Sequence, residues 1–76
     1  MHVFLAAHAP VLRRIAYQLV HETGLDLGRW MPVAHGVVVA TVMFELPGLV
    51  RSRVCTQNLM GCLGPAVRRA WRDAQA

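Results

Sequence analysis

Seventy-six residues, 55% hydrophobic and only 16% charged, make one small domain with more apolar surface than so short a chain can hide. Such a composition excludes a disordered linker, and two cysteines, Cys55 and Cys62, are too few for a disulfide scaffold or a structural zinc site. A formal charge of +4, with eight arginines and no lysine, suits nucleic acid, anionic lipid or an acidic protein.

Met1 to His8 is apolar, holds no Arg or Lys, and reads as part of the fold rather than as a secretory leader. From Pro10 to Thr23, apolar Val11, Leu12, Ile15, Ala16, Leu19 and Val20 repeat at helical spacing, with Arg13, Arg14, Gln18, His21 and Glu22 opposite. Pro10 suits the first turn of that helix, and Gly24 its left-handed close. Leu25 to Met31 is expected to hold one helical turn at best, capped by Asp26 and ended by Pro32.

Val33 to Leu46 is apolar on every side, broken only by His35, Gly36, Thr41 and Glu45. Its β-branched run Val37-Val38-Val39 would suit a strand, but no second segment offers a pairing edge, so a helix is expected, with pairing between chains as the alternative. Pro47-Gly48 punctuates, Leu49 to Leu63 is expected to be helical, and Pro65 to open a last helix. There Ala66, Val67, Ala70, Trp71 and Ala74 face one side, with Arg68, Arg69, Arg72 and Asp73 on the other. The expected architecture is all-α: a single domain over 1–76, a small bundle of three to four short helices, with 33–46 apolar on all sides.

Catalytic and metal chemistry find little footing. Glu22, Asp26, Glu45 and Asp73 form no carboxylate pair, Ser52 is the sole serine, and no two histidines share i, i+4 spacing. Glu45, the one acid on an apolar segment, is expected to pair with an arginine. No enzyme activity, cofactor or metal is expected. Met31 to Val50 has the length of a membrane span, but its longest run free of ionisable groups, Gly36 to Phe44, has nine residues, and Arg29, Arg51 and Arg53 flank both sides.

Ile15 to Asp26, an Ala-containing helix followed by Thr23-Gly24-Leu25, resembles the first helix and turn of a helix-turn-helix. The resemblance covers about twelve residues, after which Gly28 and Pro32 are expected to cut the recognition helix to one turn. It implies DNA reading, with Arg29 as the one suitable side chain.

The reading that best fits these observations is a non-enzymatic, cytoplasmic protein that works by contact, as an oligomer-forming regulator, inhibitor or accessory subunit. Val38, Val42 and Phe44 are the expected apolar contacts, Arg68, Arg69, Trp71 and Arg72 the partner-facing rim, and Arg13 and Arg14 a secondary basic face. The alternatives are a membrane-associated or single-span protein through 31–50, and a basic nucleic-acid binder.

Overall fold

The computed structural model describes the backbone of residues 2–51 and 59–76 and the side-chain surroundings of residues 5–45 and 63–76. It is a small all-α bundle: α1 runs His2–Thr23, α2 Leu27–Arg51 and α3 Leu59–Gln75, with no strand among the described residues. α2 is the central helix and packs against both of the others.

The α1 to α2 connection follows from its sequence. Gly24 takes φ +69°, donates its N–H to His21 O at 3.2 Å, and lets Leu25 N–H reach back to Val20 O at 3.3 Å. These are the two bonds of a Schellman close, completed by Leu25 packing on the core that includes Val20. Two residues later Asp26 Oδ2 accepts the Arg29 N–H at 3.0 Å, capping α2 as expected. Beyond this turn α1 and α2 pack on each other, and Arg13 of α1 lines one groove with Leu27, Gly28, Met31, Pro32 and His35 of α2.

The core is one cluster. Leu12, Ile15, Ala16, Leu19 and Val20 of α1 meet Ala34, Val38 and Val42 of α2 and Leu63, Val67 and Trp71 of α3. Thr41 is the buried polar residue, and its hydroxyl donates to Val37 O at 2.8 Å, one turn back.

Helix boundaries depart from the sequence expectation wherever proline is expected to mark one, at a start or a stop. Pro10 lies inside α1, which begins at His2. Pro32 lies inside α2, so 25–31 is not a single turn but the entry to a 25-residue helix, and this helix continues through Pro47-Gly48 to Arg51. Pro65 lies inside α3, which begins at Leu59. A helical proline forfeits one ladder bond and crowds the preceding turn. At Pro10 and Pro32 the ring is exposed, while core contacts on both sides, Leu5 and Leu12 around Pro10, Trp30 and Ala34 around Pro32, hold the helix together. Of the expected 49–63 helix, 49–51 belong to α2, which contains Pro47, and 59–63 to α3, which contains Pro65; 52–58 lie outside the described residues.

Candidate interaction surface

α2 carries two apolar faces. At 100° per residue, Ala34, Val38, Thr41 and Val42 share the side turned toward α1 and α3, and all four are buried. The opposite side carries Val33, Gly36, Val37, Ala40, Met43 and Phe44, at i, i+3, i+4, i+7, i+10 and i+11. Val33 and Met43 are exposed, Val37 is half-buried, and Phe44 is 84% exposed. Over Leu27–Glu45 the mean hydropathy is 1.3, yet only 17% of that window is buried in the bundle. A core helix of a soluble protein is mostly buried, so this one leaves an apolar stripe uncovered.

Grooves flank the stripe on both sides. On the α1 side, Arg13, Leu27, Gly28, Met31, Pro32 and His35 line an open groove of about 430 Å³. On the α3 side a groove of about 390 Å³ runs past Val37, Ala40 and Phe44, and Glu45, Arg69 and Asp73 supply its charge. Glu45 forms no ion pair among the described residues; Arg69 is the cation that shares its groove. Arg29, exposed, stands one turn before Val33 on the outward face.

The residues expected at the interface separate into two groups. Phe44, Arg13, Arg14, Arg68, Arg69 and Arg72 are exposed. Val38 and Val42 are 0% exposed, which corrects the expectation that they meet a partner: their β-branched side chains fill the space between the three helices. Trp71 is likewise corrected from rim to core, at 3% exposure. Its ring meets Trp30 edge-to-face at 6.0 Å and 87°, an arrangement favoured by the aromatic quadrupole. Its buried Nε1 has no hydrogen-bond partner among the described residues.

Periodicity places Val38 and Val42 on an apolar segment but cannot tell which side α1 and α3 will occupy. The exposed stripe residues Val33 and Met43 carry the same sequence signal, and nothing in the sequence sets them apart from Val38 and Val42.

Arg68 is engaged within the fold, donating from Nη1 to Glu22 Oε2 at 3.2 Å and tying α3 to α1. Among the described residues no group of three or more His, Cys, Asp or Glu side chains converges on a metal-sized site. Cys55 and the side chain of Cys62 lie outside the described residues.

A path for α2 across a bilayer with the bundle intact would carry Arg13 and Arg69, which line grooves beside it, into hydrocarbon. Each costs about 2.5–3.5 kcal/mol near the centre. No protein-family model, curated protein or solved structure matches the chain.

Proposed function

We propose that this protein is non-enzymatic and acts by contact, the outward face of α2 being the surface that its partner covers. The observation that carries the reading is Phe44, a large aromatic side chain left 84% exposed on a helix whose apolar stripe continues through Val33, Val37 and Met43. Leaving a phenylalanine in water forgoes about 1.5–3 kcal/mol of burial, and contiguous apolar patches on small proteins mark binding faces. A second copy, a larger protein or a lipid surface would each cover it, which keeps the roles of regulator, inhibitor and accessory subunit within the same mechanism.

DNA reading is the weaker proposal. In the helix-turn-helix resemblance the reading helix is α2, which offers Arg29 and little else among its described residues.

The contact reading is tested by fractionating cells that express wild type or a Phe44→Ser, Met43→Ser variant. Wild type is expected in an assembly or a membrane fraction, and the variant as a soluble monomer with unchanged helical circular dichroism. Finding both as soluble monomers would overturn the reading.

A further inference from the structure

We infer that the surface covering α2 is an anionic phospholipid bilayer, on which the helix lies in the plane of the headgroups with Phe44 inserted deepest. The inference rests on the contact reading of α2 given above and names its partner.

The argument begins with shape. From Val33 to Phe44 the outward stripe runs about 17 Å at 1.5 Å per residue, one residue or two wide, which suits a helix half-sunk at the headgroup boundary. The polar faces of the neighbouring helices set its depth. α1 exposes Arg13, Arg14, Gln18 and Glu22, and α3 exposes Arg68, Arg69, Arg72 and Asp73. Among the described residues the α2 stripe is therefore the face suited to entering hydrocarbon.

Charge then chooses between lipid and a second copy. Of the four acids in the chain, Glu22 is held by Arg68 and Asp26 caps α2. Glu45 and Asp73 share their groove with Arg69. Arg13 and Arg29 flank the N-terminal half of the stripe and form no ion pair with a described acid. A second copy would bring the same +4 excess to the contact, whereas lipid phosphates accept guanidinium donors in pairs and attract each such cation near the surface. In that in-plane pose the arginines meet phosphates along the N-terminal half, and the Met43 and Phe44 side chains reach down to the acyl boundary from the other.

The test is flotation of the purified full chain with vesicles of phosphatidylcholine alone or mixed with phosphatidylglycerol. Wild type is expected to float with the mixed vesicles, weakly with the neutral ones, and less at high salt. Phe44→Ser should lower the bound fraction roughly tenfold. Arg13→Gln with Arg29→Gln should lower it about tenfold on anionic vesicles only, both with unchanged helicity. Equal binding to the two vesicle types would overturn the inference, as would bound protein that resists alkaline carbonate, the mark of a span. If wild type stays off vesicles but forms a dimer that Phe44→Ser dissolves, the lipid inference falls and the contact reading stands. A monomer that stays off vesicles, with no partner in cells, removes both.

Discussion

Val42 and Phe44 stand two residues apart on α2, yet Val42 is fully buried and Phe44 is 84% exposed. Two residues turn a helix through about 200°, so one side chain closes the core and the other leaves it. Val42→Ala should cost roughly 1–2.5 kcal/mol, as lost burial plus a residual cavity. Phe44→Ala should change stability by less than about 0.5 kcal/mol. Urea unfolding followed by circular dichroism checks both, and equal costs would mean that the outward face is packed within the monomer.

Gly24 and Gly36 are expected to respond oppositely to alanine. Gly24 holds φ +69°, a conformation that costs an L-residue about 1–2 kcal/mol, so Gly24→Ala should destabilise by about that amount. Gly36 is helical, and a Cβ built there meets nothing within 4 Å. Gly36→Ala should therefore stabilise by about 0.5–1 kcal/mol, read as a rise in thermal midpoint.

Asp26 closes the turn from the other side. Its carboxylate is the acceptor for the Arg29 N–H, and Asp26→Ala should cost about 1 kcal/mol, with Asp26→Asn or Asp26→Ser retaining most of it. Amide exchange in the first turn of α2 should speed up in the alanine variant and not in the other two.

Trp71 separates ring packing from indole hydrogen bonding. Because its Nε1 has no partner among the described residues, Trp71→Phe gives up volume but no hydrogen bond to them, and should cost clearly less than the roughly 3–5 kcal/mol expected for Trp71→Ala. A Phe variant as damaging as the Ala variant would point to an uncounted acceptor at the indole.

The ion pair between Arg68 and Glu22 joins two helices but is exposed, with side chains 57% and 52% accessible. A double-mutant cycle on Arg68→Gln and Glu22→Gln should give a coupling below about 1 kcal/mol that fades with added salt. A larger, salt-insensitive coupling would mean that the pair organises the α1 to α3 contact rather than decorating it.

Local chemistry was legible in the sequence. The inward faces of α1 and α3, the left-handed close at Gly24 and the cap at Asp26 each depend on a few neighbouring residues, and each is found where the spacing placed it. The helical state of 33–46 was legible too, from its length and the want of a pairing strand. Helix ends at Pro10, Pro32 and Pro65 were not. A proline's local cost is fixed by the chain, but the burial that outweighs it comes from Leu5 and Leu12, or from Trp30 and Ala34, meeting other helices.

The same division holds for the interaction surface. Composition determined that this chain carries more apolar surface than it can cover, and pattern confined the excess to 33–46. Only the packing of α1 and α3 decided that Ala34, Val38 and Val42 turn inward while Val33, Met43 and Phe44 remain outside. A segment apolar on every side has no inside of its own; its neighbours assign one.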